Sequence, residues 1–346
     1  MNSQTHKPLR DSNMELQSTH NNTRAKVSVI VPIYGVERYI EQCAISLFEQ
    51  ILDDIEYIFV NDCTKDRSVE ILRAVAERYP NRKSRIRIID MEQNSGQAAV
   101  RKRGIEAATG EFIIHCDSDD TIERDMLYKL YTTATNEECD VVICDFNIVK
   151  GESCFHREQS IPREQMELLR DILRERVHGS LCNKLVSKNL YNKIVYFPED
   201  NLLEDFAIVV QLIANSRKHA HINEALYNYY QHPGSITNSQ DNSTLVNRAL
   251  QSLNNTKLIL KYLDKMALTQ HFHTEIVRLK YTMKTRMRHI CLCSGGYDEW
   301  RRIFPELKPL KVLSTELSRS NKIVYLITCM ELYPLFIKIK RAMQQR

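Results

Sequence analysis

The chain has 346 residues, of which 43% are hydrophobic and 27% are charged. This content is enough for one large or two moderate apolar cores and excludes a disordered protein. The formal net charge of +4 is small for this length, and the body of the chain has no basic stripe interleaved with aromatic residues. We therefore expect no dedicated binding of nucleic acid.

The first 25 residues are polar, rich in Asn, Ser and Thr, and lack the apolar run of a signal peptide. We expect residues 1–25 to form a mobile, disordered tail rather than a targeting segment. The ten cysteines are scattered along the chain without a CxxC pair. This pattern favours reduced thiols in a cytosolic compartment over disulfides or a zinc site.

After the tail, short runs rich in β-branched residues alternate with helical patterns. The runs are typical of buried strands: KVSVIVPIY, IEYIFV, IRIID, EFIIHC and DVVICDF. Apolar residues between them recur at helical spacing from Ile40 to Phe48 and from Val69 to Tyr79, and Gly110 is predicted to cap the third helix. This order predicts an α/β fold whose mostly parallel sheet is covered by helices on both faces.

Polar side chains follow the first two strands, at the sheet edge where ligands of open parallel sheets bind. Pro32 is expected to terminate the pairing of the first strand, and Tyr34 presents a ring on which a base can stack. Asp62 follows the second strand, where its carboxylate can accept the imino proton of a uracil ring. Each of these residues also has an ordinary interpretation, in packing for Tyr34 and in helix capping for Asp62.

Three carboxylates, Asp117, Asp119 and Asp120, follow the fourth strand within four positions. Like charges this close are unfavourable unless they are fully solvated or share a cation. Mg²⁺ favours one or two protein carboxylates together with phosphate oxygens and water, so a D-x-D pair is predicted to bind a cation that bridges two phosphates. The alternative is that the run caps the following helix.

Several other kinds of site lack their motifs. No G-x-G-x-x-G follows the first strand and no G-x-x-x-x-G-K-[ST] occurs, which argues against a dinucleotide enzyme or a P-loop NTPase. No G-x-S-x-G elbow is present, which argues against a hydrolase. His271 and His273 lack partners at metal-ligand spacing, and we expect them to be solvated helix residues.

Beyond residue 150 the pattern is mixed, and from about residue 245 to residue 300 it is largely helical. The last stretch, KIVYLITCMELYPLFIKIKRAMQQR, is apolar but is interrupted by Glu331 and Pro334, whereas a membrane span needs ~20 predominantly apolar residues. Two interpretations stay open. The stretch lies on a membrane, where Lys338, Lys340 and Arg341 meet anionic lipid, or it is a terminal helix packed on its own domain.

Five ordered blocks resemble the inverting family 2 nucleotide-sugar glycosyltransferases with the A-type fold. They are VSVIVPIYGVERYIEQCAISLFEQ, IEYIFVNDCTKDRSVEIL, NSGQAAVRKRGIEAATGEFIIHCDSDD, NLLEDFAIV and LYNYYQHPGSIT. The resemblance covers about residues 26 to 240 and implies a Rossmann-like, mostly parallel sheet flanked by helices. It implies a nucleotide-sugar-binding half at 26–150, an acceptor-binding half with the catalytic base at 151–240, and a helical C-terminal extension at 241–346.

The resemblance also implies roles at the nucleotide end of the site. Tyr34, with Pro32 beside it, falls where the family stacks the base. Asp62 falls on the second Asp of the family's usual pair, which holds uracil, while Asn61 replaces the first. Ser118 falls near the ribose.

The same resemblance implies residues for the diphosphate and a metal, Mg²⁺ or Mn²⁺. The D-x-D element falls on Asp117 and Asp119, with Asp119 as the principal metal ligand. Arg101 corresponds to an arginine whose guanidinium suits pyrophosphate. His232 is expected to touch the diphosphate or the metal, and a turn role before a proline remains equally open.

The family's catalytic base is the Asp of an "ED" pair, which falls on Asp205 with Glu204 beside it. Inverting transfer needs one carboxylate to take the proton of the acceptor hydroxyl while the metal neutralises the departing nucleoside diphosphate. The alternative is a helix whose first turn carries acids to complement its dipole. Cys182 in CNKLVSKNLY stands where the family's WNKLY block has Trp.

These residues predict metal-dependent, inverting transfer of a sugar from a UDP-sugar or similar donor to a hydroxyl of a glycan or lipid-linked acceptor. The resemblance implies a role in bacterial surface-polysaccharide biosynthesis, in the cytoplasm and peripheral to the inner membrane. The alternative is a non-catalytic sugar-nucleotide-binding or membrane scaffold protein of the same fold. The joint presence of Asp62, Asp119 and Asp205 favours an enzyme.

Overall fold

The computed structural model of the protein describes residues 24–232, 242–294, 296–309, 312 and 317–344. Residues 1–23 of the predicted tail, and the end of the LYNYYQHPGSIT block from residue 233, lie outside the described residues. Nine strands of the described part form one sheet: β1 Val27–Ile33, β2 Ile55–Asn61, β3 Ile86–Asp90, β4 Phe112–His115, β5 Thr121–Ile122, β6 Val141–Lys150, β7 Ser153–Arg157, β8 Lys184–Ser187 and β9 His219–Tyr230.

Helices surround this sheet and continue beyond it. The first eight lie between strands: α1 Ile40–Phe48, α2 Ser68–Glu77, α3 Pro80–Lys83, α4 Gln97–Ala107, α5 Met126–Asn136, α6 Gln165–Leu173, α7 Lys188–Tyr191 and α8 Glu204–Asn215. Those that follow β9 in the described residues are α9 Asn242–Lys265, α10 His273–Ser294, α11 Tyr297–Arg302, α12 Arg319–Cys329 and α13 Tyr333–Gln344. The predicted helical C-terminal region is confirmed.

The sheet is mostly parallel, as predicted. Its strand order is β3-β2-β1-β4-β8-β6-β9-β5, with β7 paired to β6. The ladders β1–β2, β2–β3, β1–β4 and β6–β9 are parallel. Strand β8 joins the two parallel groups and runs antiparallel to both β4 and β6. The carboxyl ends of β1, β2 and β4 therefore meet at one edge of the sheet.

Two apolar cores cover the two faces of the sheet. Alternate residues of β1 point to opposite faces, so Val29 contributes to one core and Ile30 to the other. Helices α1, α2 and α5 pack on the first face. Helices α4, α6 and α8 pack on the second, together with parts of α9 and α10. Burial on both faces explains why the central strands β1, β2 and β4 are mostly apolar along their whole length.

The prediction that Pro32 ends the pairing of β1 is wrong. Pro32 lies inside β1, opposite Val60 of β2. The carbonyls of Ile30 and Ile33 accept hydrogen bonds on opposite sides of the strand, toward β4 and β2 respectively. Pro32 therefore faces the β4 side, where β4 has already ended at His115. Because proline has no N–H to donate, it would lose a hydrogen bond to a neighbouring strand, but no described strand is paired on that side at this position.

The prediction that Gly110 caps the third helix is also wrong. Helix α4 ends at Ala107, and its C-cap, Ala108, is extended with a ψ of 135°. A Cβ atom on Gly110 would lie 2.6 Å from Ser28 Oγ and 2.7 Å from Ser28 N. Gly110 therefore allows the chain to pass close to β1, which is a packing requirement that no helical pattern reveals.

The C-terminal helices carry a third apolar cluster, which includes Trp300 and Tyr325. Tyr325 of α12 is 1% exposed, and its hydroxyl donates a hydrogen bond to the Leu307 carbonyl at 2.5 Å. Helix α12 is thus part of a packed core. No helix in the described ranges is both long and apolar enough to cross a bilayer.

Candidate active site

Three groups of predicted site residues lie together at one edge of the sheet. Tyr34 follows β1, Asp62 follows β2, and residues 117–120 follow β4. Because these strands are parallel neighbours, the residues after them converge. Tyr34 is 55% exposed, so its ring is accessible for stacking.

Asp62 is buried and holds the loop that leads into α4. Its Oδ1 accepts a hydrogen bond from the Ser95 N–H at 2.7 Å, and its Oδ2 accepts one from the Gly96 N–H at 2.8 Å. Gly96 is the N-cap of α4, with a φ of 83° that favours glycine. Asp62 is 4% exposed. A contact with a base would have to share an oxygen that already accepts a backbone amide.

Asp120 belongs to the structure below the site rather than to its surface. It is 1% exposed, and it accepts hydrogen bonds from the Tyr227 hydroxyl at 2.6 Å and the Tyr230 N–H at 2.8 Å. Burial, with the nearby carboxylates of Asp117 and Asp119, raises its pKa well above the usual range. The alternative that this run caps α5 is wrong, since the residue before α5 is Asp125.

Asp119 is partly exposed and contacts a histidine that follows β9, the strand paired with β5. Asp119 Oδ2 and His232 Nε2 are 2.8 Å apart, and the His232 ring stacks on Tyr39 with centroids 4.3 Å apart. Burial and the neighbouring Asp117 raise the pKa of Asp119 above its usual value. Ser118 is 6% exposed, which leaves little surface for the predicted ribose contact.

These residues fit a cation that is bound jointly with the donor. No group of three or more His, Cys, Asp or Glu side chains arranged for a metal occurs within the described residues. Asp119 and His232 nevertheless meet, and Asp117 lies two residues from Asp119 with 24% of its side chain exposed. Mg²⁺ is usually held by one or two carboxylates plus substrate phosphates rather than by an all-protein cage. Such a set therefore suits a metal that arrives with a nucleoside diphosphate.

Arg101 lies under the site, between the two predicted catalytic elements. Its side chain has no exposed surface. Its Nη2 is 2.9 Å from Asp117 Oδ1, and its Nε is 3.1 Å from Asp205 Oδ1 and 3.5 Å from Glu204 Oε1. The implied contact of Arg101 with pyrophosphate is therefore corrected, because a fully enclosed guanidinium that faces protein carboxylates presents no surface to a ligand.

Glu204 and Asp205 occupy the first turn of α8 but have different environments. The chain enters the helix through Leu203, whose φ is 65°. Glu204 is 5% exposed, and burial together with Asp205 raises its pKa well above the usual range. The Asp205 side chain is 20% exposed, and its Oδ2 accepts a hydrogen bond from the Leu181 N–H at 3.4 Å. Only Asp205 of the pair has a carboxylate that can meet a substrate.

Comparison with known proteins adds to this geometry. Residues 28–195 match the family described as "Glycosyl transferase family 2". The uncharacterized glycosyltransferase YibD of Escherichia coli K12 is 27% identical over 328 residues, which cover 84% of this chain and 90% of that protein. The chain therefore contains a glycosyltransferase family 2 domain.

Solved structures show that the fold of this family 2 glycosyltransferase is the predicted A-type fold. TarS of S. aureus, residues 1–349 in complex with UDP-GlcNAc, matches with a TM-score of 0.56 and 20% identity, over 81% of this chain and 91% of that chain. The mannosyltransferase PcManGT of Pyrobaculum calidifontis, in complex with GDP-Man and Mn²⁺, matches with a TM-score of 0.51 and 15% identity, over 94% and 89%.

Lys184 of this family 2 glycosyltransferase was not identified from sequence as a site residue. It is 1% exposed, and its Nζ donates to the carbonyls of His178 and Ser180 and to Asn183 Oδ1, each at 2.8 Å. Burial lowers its pKa to about 8. The sequence feature that could have identified Lys184 is its place in the apolar run CNKLV. A lysine in such a run is expected to be buried, and lysine is rarely buried without partners.

The segment that Lys184 holds touches both halves of the glycosyltransferase site. Its Leu181 N–H bonds to Asp205, and its Cys182 thiol donates to Asp117 Oδ2 at 3.6 Å. Cys182 is the residue that replaces the family's Trp. Tyr39, which supports His232, is a second residue that sequence patterns do not reveal, since its partner lies far away in the chain.

Proposed function

We propose that this glycosyltransferase transfers a sugar from a nucleotide-sugar donor to a hydroxyl of a glycan or lipid-linked acceptor, with inversion at the anomeric carbon. The supporting observation is the position of Asp205. Its carboxylate is partly exposed and is joined through one arginine to Asp117, at the end of β4. We expect the anomeric carbon to lie between this base and the edge that binds the diphosphate. That arrangement suits a single in-line displacement.

Asp205 acts as the base in this reaction. It removes the proton of the acceptor hydroxyl as that oxygen forms a bond to the anomeric carbon. The bond from this carbon to the diphosphate breaks at the same time, and its electron pair leaves with the nucleoside diphosphate. Glu204 is 5% exposed, so its carboxyl group has little surface that could reach the anomeric carbon. With Asp205 as the accessible carboxylate of the pair and in the role of base, a single displacement with inversion is favoured.

The donor proposed is a UDP-sugar. The exposed Tyr34 ring stacks on the base, and Asp62 accepts the imino proton of uracil while it holds the loop before α4. The TarS complex with UDP-GlcNAc supports UDP. GDP-mannose, which the mannosyltransferase structure contains, is the competing donor that a panel of nucleotide sugars would detect.

Asp119, His232 and Asp117 are the residues proposed to hold Mg²⁺ or Mn²⁺ together with the diphosphate. When bound, the ion supplies positive charge that stabilises the departing nucleoside diphosphate. The Mn²⁺ in the mannosyltransferase complex supports this choice. Asp120 is not included, because its two oxygens bond to Tyr227 and Tyr230.

The acceptor proposed is an intermediate of bacterial surface polysaccharide at the cytoplasmic face of a membrane. Helix α13 supports this location. Its residues Leu335, Ile339 and Met343 are 55%, 52% and 73% exposed, and a spacing of four places them on one helix face. Lys338 and Lys340, also exposed, fall on either side of that face. An apolar stripe flanked by lysines matches an anionic bilayer surface.

The decisive test compares Asp205→Asn with Glu204→Gln in a donor–acceptor transfer assay. Asp205→Asn should lower kcat by about two to four orders of magnitude, the range for a lost general base, and preserve nucleotide binding. Glu204→Gln changes a buried side chain that is not proposed to touch the substrate, and kcat should stay within about tenfold of the parent. NMR of the product should show the opposite anomer to the donor. Turnover of Asp205→Asn within tenfold of the parent, or a product with retained configuration, would contradict the proposal.

The same assay distinguishes an enzyme from a scaffold of the same fold. A scaffold would bind UDP and release neither free sugar nor transferred product from any nucleotide sugar. Metal-dependent turnover of one donor, abolished by chelation, supports the enzyme.

A further inference from the structure

Arg101 joins the donor side of the site to the base. We propose that Arg101 is a positioning residue that fixes the Asp205 carboxylate relative to Asp117, and so sets the distance between the base and the departing diphosphate. The inference rests on the proposed role of Asp205 as the base. It gives Arg101 a different task from the ligand contact that its motif suggested.

Three separate elements meet at this one guanidinium. Arg101 lies on α4, Asp117 follows β4, and Asp205 lies in the first turn of α8. The Nη2 and Nε atoms of Arg101 face different carboxylates, at 2.9 Å and 3.1 Å. Nη2 donates a hydrogen bond to Asp117, whereas the contact of Nε with Asp205 is an ion pair without a hydrogen bond. The rigid guanidinium, held by Asp117, therefore keeps a positive charge at a fixed place beside the Asp205 carboxylate. A lysine would supply the charge but not this geometry.

Packing prevents Arg101 from moving toward a substrate. Its neighbour Val100 is 1% exposed in the second core, and Gly104 of the same helix lies against Ile30 of β1. Helix α4 is therefore seated closely on the sheet, with the Arg101 side chain enclosed. A charge this deeply buried is stable only with ionised partners nearby, which Asp117 and Asp205 provide.

The position of the base depends on few other contacts. Among the described residues, the hydrogen bond that reaches the Asp205 side chain from another segment is the 3.4 Å bond from the Leu181 N–H, a long one by the usual criteria. Asp205 Oδ1 points toward Arg101. Loss of the guanidinium beside Oδ1 should therefore let the carboxylate turn while the helix that carries it stays in place.

A double-mutant cycle on kcat tests this coupling. Arg101→Lys keeps a positive charge but removes the guanidinium that holds this charge between Asp117 and Asp205, and we expect kcat to fall roughly 10- to 100-fold, the scale of a misplacement of about 1 Å. The dissociation constant for UDP measured without metal should change less than about threefold, because the enclosed Arg101 side chain presents no surface to a nucleotide. Added to Asp205→Asn, Arg101→Lys should lower kcat further by less than about threefold, since the group that it aligns is already lost.

The control is an ion pair that joins the C-terminal end of α6 to α10 and includes none of the proposed site residues. Arg174 Nη2 is 2.7 Å from Glu275 Oε1, and the Glu275 side chain has no exposed surface. Arg174→Lys should lower Tm as Arg101→Lys does and leave kcat unchanged. A fall in kcat that follows Tm in both variants would overturn the inference, because Arg101 would then serve stability alone.

A charge-balanced variant keeps the test decisive if Arg101→Lys does not fold. Arg101→Gln combined with Asp205→Asn removes one charge of each sign, and its kcat should stay within about threefold of Asp205→Asn alone. A full multiplicative loss in either cycle would overturn the inference while leaving the base assignment intact. If Asp205→Asn itself retains parental kcat, the proposed function fails first, so the two failures are distinguishable.

Discussion

The side chains of His232 and Asp119 are 113 residues apart in sequence, yet His232 Nε2 lies 2.8 Å from Asp119 Oδ2. Asp119 lies between β4 and β5, and His232 comes shortly after the end of β9, which pairs with β5, so this pairing brings the two residues together. Tyr39, at the start of α1, stacks on the other side of the His232 ring. Three distant segments thus place one imidazole beside the predicted metal-binding carboxylate.

This contact predicts a metal-specific defect in nucleotide binding. His232→Ala and Asp119→Ala should each weaken UDP binding about tenfold or more in the presence of Mn²⁺, because the ion bridges protein and diphosphate. Neither change should alter the binding measured with a chelator present. Isothermal titration with and without Mn²⁺ provides the measurement, with His273→Ala as a control on an exposed histidine of α10. Equal losses in both conditions would contradict a metal role.

Tyr34 should contribute to binding whether or not metal is present. Its exposed ring offers base stacking, which is typically worth ~1–3 kcal/mol, or roughly fivefold to 150-fold in affinity. Tyr34→Ala should weaken UDP and uridine binding by similar factors, with or without Mn²⁺. Tyr128→Ala is the matched control, since Tyr128 is a 48% exposed tyrosine on α5. Unchanged uridine affinity in Tyr34→Ala would leave Tyr34 as a surface residue only.

The exposed face of α13 predicts reversible binding to anionic membranes. Leu335→Gln with Ile339→Gln should abolish co-sedimentation with vesicles that contain phosphatidylglycerol, and high salt should weaken the binding of the parent protein. Leu250→Gln with Met266→Gln, two exposed apolar residues elsewhere, should bind vesicles like the parent. Transfer to a soluble acceptor should be unchanged in both variants. Vesicle binding that survives the α13 changes would contradict the membrane role.

A second copy of the chain is the other possible occupant of the α13 face. If Leu335→Gln with Ile339→Gln converts a dimer to a monomer in light scattering and leaves vesicle binding intact, the face is a self-association surface. Truncation before Lys322 is not a clean test, because it removes Tyr325, which is 1% exposed. The side chain of Arg341, expected from sequence to meet lipid, lies outside the described residues.

Lys184 predicts a pH dependence of stability. Burial lowers its pKa to about 8 from an ordinary value of 10.5, so between these values the unfolded chain binds more protons than the folded protein. The free energy of unfolding of the parent should therefore rise with pH from about 8 toward 10.5, relative to Lys184→Met. Urea unfolding of both proteins at several pH values in this window measures the difference. A difference that does not change with pH, or that falls, would contradict this assignment.

The order and type of the early elements could be predicted from the sequence alone. Strands β1, β2, β4 and the first part of β6 are mostly apolar and buried, because both faces of each strand are covered. The pattern of apolar residues is a local property of the sequence. It therefore identifies the strands and helices, and with them the polar residues at the carboxyl ends of the strands. The motif resemblance identified the family, and the convergence of Tyr34, Asp62 and residues 117–120 followed from the parallel order of the strands.

The burial and partners of individual polar side chains could not be predicted in this way. Asp117, Asp119 and Asp120 are near neighbours in one run, yet Asp120 points into the protein toward Tyr227 while Asp119 is partly exposed beside His232. Arg101 belongs to a motif associated with pyrophosphate and proves to be enclosed.

The reason is that local sequence fixes which residues share a helix or strand face, whereas burial depends on what packs against that face. The enclosure of Arg101 requires α8 to bring Asp205 to it from 104 positions away in the chain. The apolar stripe of α13 is exposed because no described segment covers it. The helix is held on the rest of the protein by Tyr333, whose ring centroid lies 4.3 Å from the Arg288 guanidinium. These relationships arise from long-range packing, so only the tertiary structure decides them.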